Sequence, residues 1–265
     1  MIVVNIFGVI YGTWTAAKVF FLVTEYFIKP NIAINSDALN ILEIGSYDIN
    51  GSVRNLFKNI NNKYIGVDLC EGKGVDVVAS GHALEFGDAS FDVTLSGECF
   101  EHDSNYVETF KNMVRMTSPG GLVVFTCATL GRLEHGTVRT NPDHSPGTQF
   151  AGLDYYKNLT KENFIDVFDM NLIFDKYAFY TEGSSHDLYF VGWKAGNAKK
   201  FAGNFQLFEE NVKQIKKFEK FHFKIFDIPI YIARLFLDEH QLQEFAVKYD
   251  VKTRSIRSSI KSISR

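Results

Sequence analysis

Two polar clusters stand out against an otherwise apolar chain. The first is Ser96-Gly97-Glu98-Cys99-Phe100-Glu101-His102, and the second is the run from Arg132 through Glu134, His135, Arg139 and Asp143 to His144. An imidazole titrates near the working pH and can take a proton from a hydroxyl. A guanidinium grips phosphate or carboxylate with two parallel hydrogen bonds. His135, Glu98 and His144 are therefore the candidate catalytic groups. His135 comes first, because Glu134 beside it could orient it or raise its pKa and Gly136 lets the backbone bend close to a ligand. Arg132, Arg139 and Tyr155 are the candidate acceptor-binding residues. The plainer reading of this run is a solvated lid whose charges keep it soluble.

If a helix begins near Glu98, then Glu98, Glu101 and His102 share one face. They could put a carboxylate beside a reacting centre, or form a metal site of hard oxygen and nitrogen ligands. They could equally be a helix start stabilised by acids, with His102 packed beneath a sheet edge. The helix start is the preferred reading, and no metal is expected.

A further set of residues suits a nucleoside. Glu43, Gly45, Ser46 and Tyr47 follow the apolar run Leu39–Ile44, and Asn50-Gly51-Ser52 could cap a helix there. Asp68 ends the run Tyr64–Asp68, about twenty residues after Gly45, where a carboxylate can accept both ribose hydroxyls. Leu69 follows it, and Ser80, Gly81 and His82 could meet an adenine edge, with Gly97 close by. The G-x-G-x-x-G spacing that crowds a pyrophosphate is absent. Glu43 suits an ammonium group, so the set fits S-adenosylmethionine (SAM) better than a dinucleotide.

The elements that must position these residues alternate. Short β-rich runs at Leu39–Ile44, Tyr64–Asp68, Val75–Ala79, Phe91–Ser96 and Leu122–Cys127 are interleaved with helices over Ser52–Asn59 and near Asn105–Met116. Ser118-Pro119-Gly120-Gly121 reads as a turn. A long polar loop, 129–157, is followed by a helix at Lys161–Met170 and strands at Leu172–Tyr180 and Asp187–Trp193. This alternation predicts an α/β fold, a mostly parallel sheet with helices on both faces. The hairpin-length gap at Glu182–Ser185 makes the last strand antiparallel, at or near an edge.

The chain divides into an N-terminal helical lead-in over 1–36, a nucleotide-binding domain over 37–195 and a helical C-terminal extension over 196–265. The lead-in has no basic residues before its apolar stretch, and Asn5, Thr13, Thr15, Lys18, Thr24 and Glu25 interrupt it. A packed segment is expected there, with a helix from Thr15 to Ile28 stopped by Pro30, and not a signal peptide or membrane span. In the extension, Phe205 to Phe223 intersperse Phe with Lys and Glu, Pro229 marks a break, and 230–247 carry a second apolar face. These helices could pair two chains into a homodimer or lid the pocket; packing on the domain is the expected outcome. The basic tail from Val251 reads as a solvated end.

A net charge of −3 argues against nucleic acid as partner. Cys70, Cys99 and Cys127 are widely spaced with no C-x-x-C pair, which indicates neither disulfides nor a thiolate zinc site and suits a reducing cytoplasm.

The runs ILEIGSYDINGSVRNLF, YIGVDL, GVDVVASGHALEFGDASFDVTLSGECFEH and MVRMTSPGGLVVFTC resemble the class I SAM-dependent methyltransferases of the "type 11" domain group, in the same order from Asn40 to Trp193. The resemblance implies a Rossmann-like seven-stranded sheet, SAM around Gly45 and Asp68, and a small-molecule acceptor after strands four and five. Tyr47 stands where that family usually has a second glycine, and Ser80 where an adenine-contacting Asp is common. More faintly, the chain resembles methyltransferases that modify bacterial capsule or other surface glycans, which implies O-methylation of a sugar-, phosphate- or phosphoramidate-bearing acceptor. The alternatives are an NAD(P)-dependent oxidoreductase, a nucleic-acid methyltransferase and a non-catalytic methyltransferase-like binding subunit.

Overall fold

The computed structural model describes residues 14–32, 38–49, 51–58, 60–182, 185–196, 201, 204–217 and 228–263. Seven strands, β1 (Leu39–Ile44), β2 (Asn62–Asp68), β3 (Val77–Val78), β4 (Phe91–Gly97), β5 (Thr117–Ala128), β6 (Phe174–Glu182) and β7 (Asp187–Lys194), form one sheet. Their order is β3-β2-β1-β4-β5-β7-β6. This is the Rossmann-like α/β architecture that the alternation of strands and helices predicted. Strands β1 to β5 pair in parallel, and β7 runs antiparallel to both β5 and β6. The last strand is thus antiparallel as expected, and it lies one place in from the edge, between β5 and β6.

The near-continuous apolar strands follow from burial on both faces. On one face Phe20, Val23, Phe27 and Phe208 pack against Ile41, Val93 and Val124. Phe20 and Val23 come from α1 (Trp14–Val23) and Phe208 from α3 (Phe205–Lys217). The other face is a layer of aromatic rings. Phe110 of α2 (Tyr106–Met116) meets Phe164 edge-on at 5.4 Å, and Phe125 stacks on Phe190 at 5.1 Å. The abundance of Phe is spent here, each such pair adding about 0.5–1.5 kcal/mol beyond area burial.

Several local expectations are corrected. The lead-in helix runs through Pro30 to Ile32, because a π turn at Thr24–Ile28 joins Lys29 N–H to the Thr24 carbonyl. That wider turn accommodates the ring that would strain an α-helix. Ser52 does cap, its Oγ accepting from Arg54 N–H, but the element it starts is only a 3₁₀ turn, Val53–Phe57. The third strand shrinks to two residues. Ser118–Gly121 lies within β5 as a bulge, where the pairing with β4 shifts register. The helix at Lys161–Met170 becomes two single turns, Glu162–Ile165 and Met170–Ile173. Helix α3 ends at Lys217, and 218–227, like 1–13 and Asn50, lie outside the described residues. Helix α4 (Glu239–Ile263) closes the chain. No helix of the described residues is long and apolar enough to cross a membrane.

Candidate active site

Strand order reverses between β1 and β4, and a crevice opens beyond their carboxyl ends. Register pairs Ile44 with Ser96 and with Val67, so the turns after β1, β2 and β4 come side by side. A single cavity of about 850 Å³ sits there. Glu43, Gly45, Ser46, Tyr47, Asp68, Leu69, Gly81, His82, Gly97, Glu98, Arg132, His135 and His144 all line it. Arg139 and Tyr155 do not.

The first wall is built from β1 and β2. Gly45 has φ +79°, and a Cβ there would come within 2.6 Å of the Cys99 side chain, so the turn needs glycine. Asp68 accepts hydrogen bonds from Tyr47 N–H (2.9 Å) and Leu69 N–H (2.7 Å). Burial raises its pKa, and those two N–H groups oppose the rise. Glu43 accepts from Tyr64 Oη at 2.8 Å. Burial pushes its carboxyl up to about 7, against the lowering effects of Tyr64 and Arg54. The Tyr47 ring, in place of a family glycine, packs over Gly72, where any side chain would collide with it. Ser46 Oγ is buried without a hydrogen-bond partner. A recess with two carboxylates, an unbonded hydroxyl and a turn that admits no Cβ fits a cationic nucleoside such as SAM.

The second wall departs from expectation. No helix starts near Glu98. Glu98 takes φ +50°, its N–H bonding to the Thr126 carbonyl at 2.9 Å, and only a 3₁₀ turn, Phe100–His102, follows. A non-glycine residue held there is strained backbone at the centre of the site. Glu101 is buried, and so is His102, whose packed position is the one part of the helix-start reading that holds. No hydrogen bond of normal geometry reaches either carboxylate oxygen of Glu98 or Glu101, or Nδ1 of His102. Burial raises Glu98 well above the carboxylate range, with Asp187 and Glu101 adding to it. Burial likewise brings Glu101 to about 7 and lowers His102 to about 3.

The 129–157 loop is ordered, with a 3₁₀ turn at Pro142–His144 and a short helix at Pro146–Phe150. It reaches across the cavity: a Cβ at Gly147 would lie 2.6 Å from Asp68 Oδ1. His135 donates from Nδ1 to the Leu133 carbonyl (3.1 Å), and burial lowers its pKa to about 4. The rise expected from Glu134 is present but is outweighed by burial, and the Glu134 carboxylate is itself paired with Arg139. That pairing, with His240 on the other side of the guanidinium, turns Arg139 outward. Arg132 points in and bonds Asp187 at 3.2 Å, with Glu98 at 4.0 Å. Of the tyrosine pair, Tyr156 rather than Tyr155 contributes its ring, meeting His102 at 5.4 Å and His135 at 5.1 Å.

Sequence reasoning missed Asp187, Tyr64 and Gln243. Asp187 is an acid opening an apolar strand, which is the one signal that marked it. Gln243 of α4 accepts from Glu134 N–H at 3.1 Å and donates to the Arg132 carbonyl, fixing the loop from a distant part of the chain.

Residues 42–125 match the model of a family described as "Methyltransferase domain". An uncharacterized methyltransferase of Mycobacterium leprae is 34% identical over 98 residues, 32% of this chain and 36% of the relative. One of Mycolicibacterium gilvum is 32% identical over 100 residues, 33% of this chain and 38% of the relative. The chain thus spans little more than a third of the length of these curated relatives. Among solved structures, a putative SAM-dependent methyltransferase of Methanococcus maripaludis superposes with a TM-score of 0.43 at 15% identity, covering 69% of this chain and 89% of that one.

Proposed function

We propose that this chain is a SAM-dependent methyltransferase acting on an oxygen of a small acceptor. The observation that carries the reading is the single cavity whose one wall is the Gly45–Asp68 recess and whose other is the Glu98–His135 cluster. The match of residues 42–125 to the methyltransferase family supports it. Bound SAM supplies an electrophilic methyl group. In this arrangement Asp68 holds the ribose, Glu43 faces the ammonium, and the turns at Gly45 and Gly97 line the nucleoside's path, with Ser46, Tyr47, Leu69, Gly81 and His82 around it.

The acceptor lies between Arg132, Glu98, His135 and His144. Glu98, in its ionised form, takes the acceptor's proton: its raised pKa makes it the stronger base, and the depressed pKa of His135 makes that imidazole the weaker one. Much of the rate enhancement then comes from positioning in a closed site. A sugar- or phosphate-bearing acceptor of capsule or surface-glycan biosynthesis, modified in the cytoplasm, is the finer reading; the Arg132 guanidinium supports an anionic acceptor. Calorimetric titration with SAM and with NAD tests the cofactor, and incubation with a panel of hydroxylated sugar phosphates tests the acceptor. Binding of NAD in preference to SAM would overturn the reading in favour of an oxidoreductase.

A further inference from the structure

Three side chains with lone pairs meet where the turn after β4 crosses the 129–157 loop. One ligand-capable atom from each of Glu101, His102 and His135 lies within 4.8 Å of the others. Glu101 has no solvent exposure and His102 only 6%. No hydrogen bond of normal geometry reaches either oxygen of the first or Nδ1 of the second, and the nearby backbone of Glu101 and Ala128 only partly offsets the effect of burial on Glu101. Buried polar atoms are rarely left so in folded chains, and each instance calls for a physical cause.

The imidazoles are oriented as metal ligands are. The Nδ1–H of His135 is tied to the Leu133 carbonyl, which leaves Nε2 as the lone-pair nitrogen. The His102 ring is held beside the Tyr155 backbone, whose effect is to raise its pKa against burial, and its Nδ1 is free of any hydrogen bond of normal geometry. An outer bond such as that of His135 sets the tautomer of a ligating histidine. The two rings stand edge to face at 4.9 Å, and Gly136, at φ +70°, is what allows this approach, since a Cβ there would lie 2.7 Å from the His102 ring. Charge points the same way. Glu98, Glu101 and Asp187 surround a single guanidinium, Arg132, so three carboxyls face one fixed cation there.

We propose that Glu101, His102 and His135 form a divalent-cation site that takes Mn²⁺ or Zn²⁺ and keeps an open side toward the cavity. One carboxylate and two imidazoles are the donor set of open catalytic sites for such ions, whereas Mg²⁺ and Ca²⁺ favour oxygen throughout. The site's existence is independent of the methyl-transfer reading; its role rests on that reading. The cation would hold the acceptor oxygen in line with the methyl group and lower the pKa of its hydroxyl. The hydroxyl proton passes to Glu98, the oxygen's electron pair forms the new bond to the methyl carbon, and sulfur keeps the pair of the broken S–C bond.

The test uses the full chain, stripped with a chelator and dialysed. It is titrated with MnCl₂ and with ZnCl₂ by calorimetry, and for Mn²⁺ also by loss of the free-ion paramagnetic resonance signal. One ion per chain with micromolar or tighter affinity is expected. That affinity should weaken at least tenfold in Glu101→Gln and in His135→Asn, and the ion should raise the melting temperature of the wild type only. If one variant fails to fold, the other and the wild-type stoichiometry still decide. No stoichiometric binding of either ion, or unaltered binding in the folded variants, overturns the proposal. Titrating SAM into the same samples separates the two readings: SAM binding without metal binding refutes the metal site alone, and metal binding without SAM binding refutes the cofactor alone.

Discussion

Asp68 and Glu98 are both carboxylates at the carboxyl end of a parallel strand, and they are treated in opposite ways. Asp68 accepts two backbone N–H groups, and its neighbour Glu43 accepts the Tyr64 hydroxyl. The carboxylates of Glu98 and Glu101 accept no hydrogen bond of normal geometry. The carboxylates of one wall are satisfied by the chain itself, and among the described residues only the Ser46 hydroxyl there is left over. The other wall holds unspent bonding capacity under strained backbone, and such capacity collects where a ligand or reacting group completes the set. On the proposed reading, the contrast separates a wall that binds from a wall that reacts.

The sharpest way to break that comparison is Glu98→Gln. If the second wall carries the chemistry, kcat should fall by roughly 10²–10⁴ while SAM affinity by calorimetry stays within about threefold. An equal loss in both quantities would dissolve the distinction. Asp68→Ala probes the other side. Loss of a charged partner to the ribose should weaken SAM binding by at least about tenfold, the equivalent of about 1.5–3 kcal/mol. Unchanged affinity in a folded variant would remove Asp68 from the cofactor site.

Glu43 refines the comparison through pH. In the free chain its carboxyl charges near 7 instead of 4.5, so the folded state holds a proton that the unfolded state has shed. Its contribution to stability is therefore greatest below pH 4.5 and is lost as pH rises through 7. SAM, being cationic, should bind the ionised form, so affinity should increase about tenfold from pH 6 to 8, and Glu43→Gln should flatten both trends. Affinity independent of pH would uncouple Glu43 from the ammonium. The smallest effect belongs to Arg139→Ala. Its guanidinium is an exposed partner of Glu134 outside the cavity, so acceptor KM should change less than about threefold and stability by about 0–1 kcal/mol. A large rise in KM would move Arg139 back into the acceptor site.

The first wall was legible in the sequence because its signals are local. A glycine directly after an apolar run and an acid directly after the next one have few structural alternatives, and both stand where they were expected. The sheet was legible for the same reason, through period and punctuation. The second wall was not, since its geometry depends on contacts between distant segments. The Glu98-x-x-Glu101-His102 spacing suits a helix equally well, and what denies it is the pairing of Glu98 N–H with β5. The outward turn of Arg139 depends on Glu134 and on His240 of α4, and no local pattern near residue 139 announces either.

Gln243 carries one more consequence, in the order of synthesis. The strands and turns that bear Glu43, Gly45, Asp68 and Gly97 are all translated by residue 97, whereas the backbone of Arg132 and Glu134 is pinned by a side chain far downstream. At about 5–20 residues per second, the interval between the two is on the order of ten seconds. During that time the growing chain holds the residues proposed to grip a nucleoside and lacks the brace that fixes the loop of the second wall. The two walls of the cavity are thus completed at different moments of synthesis.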